Sequence, residues 1–109
     1  MTVLVGLMSG TSLDGISAAV VRFTNSDGAI RTDLLAFQTT AYLAEQRSRI
    51  ERALVGGTAL DYARLEFDLG AWLADAAVAV MAEAGVARKD IAAIASHGHT
   101  LWHAAPEAT

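Results

Sequence analysis

The chain reads as an α/β fold: an antiparallel three-strand meander, then two helices, then a strand that returns parallel to the first. Three observations carry this. Residues 3–37 hold three apolar runs separated by short polar, glycine-containing turns. Residues 43–84 switch to a helical period. After them comes a short, wholly apolar run, as in a parallel-sheet unit. A length of 109 residues, 53% of them hydrophobic, suits one domain with a real core.

Taken in order, Val3–Met8 is apolar on both alternating faces, which predicts a central strand covered on both sides. Ile16–Phe23 repeats that pattern. Ser9–Gly15 between them is too short for a crossover helix, so the two pair antiparallel. Asn25-Ser26-Asp27-Gly28 is a hairpin turn. Ile30–Phe37 is the third strand, and Arg31 and Asp33 on one face mark it as a sheet edge. Leu43–Leu54 is a helix burying Leu43, Ile50 and Leu54, with Glu45, Arg49 and Arg52 outward. Gly56-Gly57 stops it. Thr58 and Asp61 form a capping-box start for a helix over Ala59–Ala84, whose apolar stripe is Leu65, Leu69, Leu73, Ala76 and Val80. Gly85 caps its end. Ile91–Ser96 is the last strand. A sheet of this type continues with further elements, so we expect residues 1–109 to be an incomplete fold.

Composition excludes several classes. There is no cysteine, hence no disulfide framework, thiolate nucleophile or cysteine-based zinc site. A net charge of −4 without a Lys/Arg cluster argues against nucleic acid and anionic membranes as partners. Asp61, Arg64, Glu66 and Asp68 would be costly inside a bilayer, so the long helix belongs to a soluble protein. No basic segment precedes an apolar one at the N-terminus, which points to the cytoplasm. Lys89, the only lysine, has no glycine loop beside it, which removes the P-loop class.

Two segments hold the chemistry. Gly6–Gly15 places three glycines, three hydroxyls and Asp14 around one turn between strands. Glycines let backbone N–H groups approach an anion, hydroxyls add donors, and a carboxylate suits Mg²⁺, directly or through water. A polar glycine-rich turn with Asp14 as a turn residue fits the same spacing. The second segment, Ser96–His103, follows a strand end, where ligands of α/β sheets collect. It contains all three histidines, His97, His99 and His103, which fit hydrogen bonding to a polar substrate, a zinc site, or a structural role in which His97 caps the strand end while Trp102 packs on the core. Trp72 reads as core. Arg47, Arg49 and Arg52 read as a solvated helix face with local Glu partners, and Asp75 as an exposed or hydrogen-bonded position.

GLMSGTSLDGIS at Gly6–Ser17 and ASHGHTLWH at Ala95–His103 resemble the N-terminal part of the anhydro-N-acetylmuramic acid kinases. The resemblance covers essentially the whole chain and implies a ribonuclease H-like lobe of the sugar kinase/Hsp70/actin superfamily. It implies ATP and Mg²⁺ as cofactors, and an activity in which water opens the 1,6-anhydro ring of the amino sugar while O6 is phosphorylated. The product is N-acetylmuramic acid 6-phosphate, a step in peptidoglycan recycling. Carried over by position, Gly10, Thr11, Ser12, Leu13, Asp14, Gly15, Ile16 and Ser17 would cradle the ATP phosphates, with Asp14 linked to the metal. His97, His99 and Thr100 would lie near the sugar. The resemblance allows a homodimer of the full-length protein. It puts the general base in a D-T-G-P-G-N-type segment that residues 1–109 do not contain, so no catalytic base is expected in this chain. The chain departs from the family pattern twice, with Ser17 where an Asp is usual and His99 where a Gln is usual. A different class of reading is a catalytically inactive lobe that serves as a binding or interaction module.

Overall fold

The computed structural model describes residues 1–10 and 13–101. The elements follow the expected order: β1 (Thr2–Ser9), β2 (Gly15–Ser26), β3 (Ala29–Ala41), α1 (Ala44–Gly56), α2 (Ala59–Ala84) and β4 (Ala93–Ser96). A single 3₁₀ turn at Arg88–Asp90, not expected from the sequence, lies between α2 and β4. The sheet order is β3-β2-β1-β4. β1–β2 and β2–β3 pair antiparallel and β1–β4 parallel, in the arrangement expected of an actin-like ATPase lobe.

Register fixes what faces the core. Val5 lies opposite Val20, Leu7 opposite Ala18 and Ser9 opposite Ile16, so these side chains line one face of the sheet together. Ala76, Ala77, Val80 and Met81 of α2 pack onto that face. A bulge in β3, where the partners step from Ala36 to Leu34, lets both Leu35 and Ala36 pack beside this cluster. Fully burying side chains the size of Val5, Val20 and Val80 contributes about 1.5–3 kcal/mol each. A second cluster lies beyond the end of the sheet, where Ile50 and Ala53 of α1 meet Leu65 and Leu69 of α2 around Leu13.

The termini of the elements have local causes. Asp27 and Gly28 both take positive φ (51° and 80°), the backbone of a tight two-residue hairpin turn. Thr58 Oγ1 accepts from Asp61 N–H at 3.1 Å, and Asp61 Oδ2 accepts from Thr58 N–H at 3.0 Å, which closes the expected capping box. The Thr58 backbone N–H and, next to it, the Thr58 hydroxyl hold the Asp61 carboxyl below its ordinary 3.8, with smaller help from Arg52 and Arg64. Gly85 ends α2 in the left-handed conformation.

Four expectations need correction. β1 is covered on one face only: Leu4, Gly6 and Met8 point to the other, where no helix lies among the described residues, and Met8 is 56% exposed. Its two-sided apolar pattern reports what the strand can bury, and α1 packs on α2 instead of on the sheet. β4 is shorter than Ile91–Ser96, and all four of its residues are exposed because it forms the sheet edge. The buried stripe of α1 is Ile50 and Ala53. Leu43 precedes the helix as its N-cap and is exposed, and Leu54 sits at the rim. Finally, Arg49 does not face solvent. It turns across to Asp68 of α2 at 2.8 Å and lies over the Trp72 ring at 5.5 Å. The expected local pairing does hold for Arg47 and Glu51, 3.2 Å apart one helical turn along.

Candidate functional site

The carboxyl ends of β1, β3 and β4 and the start of β2 all lie at one end of the sheet, a consequence of the strand directions. Both chemistry-bearing segments therefore leave the sheet there. His97 N–H donates to Leu7 O at 3.1 Å, extending the β1–β4 ladder one residue beyond β4. Leu101 packs against the same cluster as Leu13, so the two loops share an anchor.

Gly10–Gly15 is built as more than a reversal of direction. Leu13 N–H donates to Gly10 O at 3.1 Å, and Leu13 takes φ 58°, uncommon for a residue with a branched side chain. Its side chain is buried between α1 and α2, an interaction that offsets the local backbone cost. Gly15 meets β3 so closely that a Cβ there would lie 2.1 Å from Thr40 O. Asp14, between these two fixed points, is exposed. Of the residues assigned to the phosphates, Leu13 and Ile16 spend their side chains on the core and can offer only backbone groups. Ser17 points to the uncovered face of the sheet, its hydroxyl 3.2 Å from that of Thr39. Thr11 and Ser12 lie outside the described residues, as do Trp102 and His103.

The second segment is joined to the first through a side-chain network. Ser9 is the last core-facing residue of β1 and is 2% exposed, the one buried polar residue among those described. Its Oγ lies 2.8 Å from His99 Nδ1 and hydrogen-bonds the Tyr42 hydroxyl. Tyr42 follows β3 and stands edge-on to Trp72, with ring centroids 6.1 Å apart. Asp68, Arg49, Trp72, Tyr42, Ser9 and His99 are thus in continuous contact from the helices to the loop after β4. Burial pushes the Tyr42 phenol above its ordinary 10.0, against a smaller opposing effect of the Ser9 hydrogen bond. Burial also lowers His99 below its ordinary 6.5, so the imidazole is held neutral. His99 Nε2 is buried without a partner among the described residues. His97 and Thr100 are exposed, and Gly98, with φ 70°, turns the loop between His97 and His99.

The sequence marks Ser9 only as one hydroxyl of the glycine-rich turn and does not single out Tyr42. The available signal was the parity of β1: Ser9 continues the inward series Val5, Leu7, and a hydroxyl at a core position needs a partner. Nothing local marks Tyr42, which reaches the site because β3 ends beside β1's loop.

No group of three or more His, Cys, Asp or Glu side chains gathers at one place among the described residues. Asp14 alone suits Mg²⁺, which is held by one or two carboxylates together with waters and substrate phosphates. Zinc would require more imidazoles than the described residues bring together, and the Nδ1 of His99 is already bonded to Ser9. No described helix is long and apolar enough to cross a membrane.

A family model described as anhydro-N-acetylmuramic acid kinase matches residues 2–109. The chain is similar to curated proteins of that name. It is 45% identical over 101 residues to the one from Xanthomonas campestris pv. campestris strain 8004, covering 90% of this chain and 26% of the relative. For Caldanaerobacter subterraneus subsp. tengcongensis the identity is 37% over 102 residues, 92% of this chain and 26% of the relative. For Picosynechococcus it is 37% over 105 residues, with 94% and 27% covered. The chain therefore spans about a quarter of the length of the curated relatives it matches.

Proposed function

Because the chain belongs to the anhydro-N-acetylmuramic acid kinase family, we propose that residues 1–109 are the N-terminal part of a kinase lobe that supplies its phosphate-binding hairpin. The whole protein would take 1,6-anhydro-N-acetylmuramic acid, ATP and water to N-acetylmuramic acid 6-phosphate and ADP. Water adds at C1, the C1–O6 bond breaks, and O6 takes the γ-phosphoryl group. The general base that deprotonates the water is supplied from outside these residues. We expect the reaction in the cytoplasm, where ATP is available.

Phosphoryl transfer asks a protein mainly for positioning and charge stabilisation. The hairpin supports that role through its construction. Leu13 and Gly15 hold the backbone on either side of Asp14, so backbone N–H groups of the turn can face phosphate oxygens without reorganising. Asp14 is the exposed carboxylate that would hold Mg²⁺, which neutralises charge on the phosphates when bound. His99 and its neighbours at the end of β4 face the same end of the sheet, where the sugar would be held. The observation that carries the reading is this convergence of the two family motifs through Ser9 and His99.

Incubating the intact protein with Mg-ATP and the anhydro-sugar, and weighing the sugar product, tests it. A mass gain of one phosphoryl group (HPO3) plus one water is expected. Nucleotide binding without any sugar product would overturn the kinase reading and leave these residues as a binding module.

A further inference from the structure

We propose that Ser9 and Tyr42 are positioning residues that hold His99 as its Nε2–H tautomer, and that this N–H donates to an oxygen of a bound ligand. The ligand's identity rests on the kinase reading; the tautomer does not. The oxygen is either a sugar oxygen or a phosphate oxygen, since the loops that serve both leave the same end of the sheet.

The argument follows the protons. Ser9 and Tyr42 each have one hydroxyl proton, and a neutral imidazole has one N–H. Ser9 Oγ is the only partner of the Tyr42 hydroxyl among the described residues. When Tyr42 donates to Ser9, the Ser9 proton goes to His99 Nδ1, which must then be bare, and the ring proton sits on Nε2. In the reverse direction Nδ1–H donates to Ser9 and Ser9 to Tyr42, which leaves the phenol proton with no acceptor among the described residues. The first arrangement satisfies every group except Nε2–H, and Nε2 is the buried polar atom that has no partner among the described residues. The imidazole accepts the Ser9 proton at Nδ1 and leaves its own Nε2–H without a partner among the described residues. A ring oriented by Ser9, which Tyr42 holds in turn, and missing one acceptor is prepared for an acceptor that arrives from outside. The aromatic contact with Trp72 and the Arg49–Asp68 pair hold Tyr42 from behind, so the donor keeps its direction in the free protein.

The test uses the full-length protein labelled with ¹⁵N-histidine and long-range ¹H–¹⁵N spectra, in which the two tautomers have different patterns. An Nε2–H pattern for His99 is expected, becoming mixed in Ser9→Ala and in Tyr42→Phe, which removes only the hydroxyl. An Nδ1–H pattern in the unsubstituted protein, or no change in either variant, would overturn the proposal. Adding 1,6-anhydro-N-acetylmuramic acid alone, and Mg-ADP alone, should shift the Nε2 signal in one arm, and that arm names the oxygen's source. No shift in either arm would overturn the ligand role. In turnover, His99→Leu should raise the KM for that ligand about tenfold with kcat nearly unchanged, the size expected for one hydrogen bond. His99→Gln, which keeps a donor, should recover most of the loss; equal KM for both variants would count against a donor. A ligand shift in a protein that forms no phosphorylated sugar would strike the kinase reading while supporting this one.

Discussion

β2 is entered by one turn and left by another, and the two are built differently. Asp27-Gly28 joins β2 to β3 with two residues, both at positive φ and both exposed, and it does nothing but reverse the chain. Gly10–Gly15 joins β1 to β2 with a longer loop tied down at several points. Leu13 is buried in a helix-lined core, Gly15 is pressed against Thr40, and Ser9 at its entrance is bonded to Tyr42 and His99. Closure alone needs only the cheaper design. The extra anchors fix the position of what the loop presents, the carboxylate of Asp14 and the backbone around it.

Substitutions can break this contrast. Gly15→Ala has the largest expected effect on stability, since its Cβ would meet a backbone carbonyl that cannot swing aside. A loss of about 3 kcal/mol, read from chemical denaturation, is expected. Asp14→Ala should leave stability within about 0.5 kcal/mol, because the side chain is exposed. Turnover of the intact protein should nevertheless fall on the order of a hundredfold, the usual scale for removing one group that stabilises transferring charge. A variant of normal activity would return the loop to the status of an ordinary turn. Leu13→Ala should cost about 2 kcal/mol or more and loosen the loop, seen as faster amide exchange around Asp14. Gly28→Ala should cost about 1 kcal/mol through its positive φ alone, with turnover unchanged.

The smallest effect expected is on pH dependence. Burial lowers the folded-state pKa of His99 below its ordinary 6.5, so the unfolded chain binds its proton first as pH falls. The His99 contribution to stability is thus fully present above 6.5. It declines as pH falls from 6.5 toward the folded value. Comparing thermal midpoints of the parent and His99→Gln between pH 7 and 5 isolates it, and parallel curves would mean that the ring is solvated.

Much of the architecture was legible because its causes are local. Alternating apolar residues, the Asp27-Gly28 dipeptide, the Thr58/Asp61 box and Gly85 each act through near neighbours, and the element order, the antiparallel pairing and the parallel return of β4 follow from them. The errors share one cause. The two-sided burial of β1 and the outward placing of Arg49 depend on which surfaces meet, and hydropathy reports only which surfaces can be buried.

The site divides in the same way. The sequence by itself determined the chemistry of the two segments: glycines and a carboxylate in one turn, imidazoles after a strand. Tertiary structure alone decided that Leu13 is an anchor and that Tyr42 belongs to the site. It also decided that Ser9 hydrogen-bonds a histidine 90 residues away in the chain. Such contacts arise where sheet order and strand direction bring distant chain ends together, and no pattern within a short window of residues encodes that meeting.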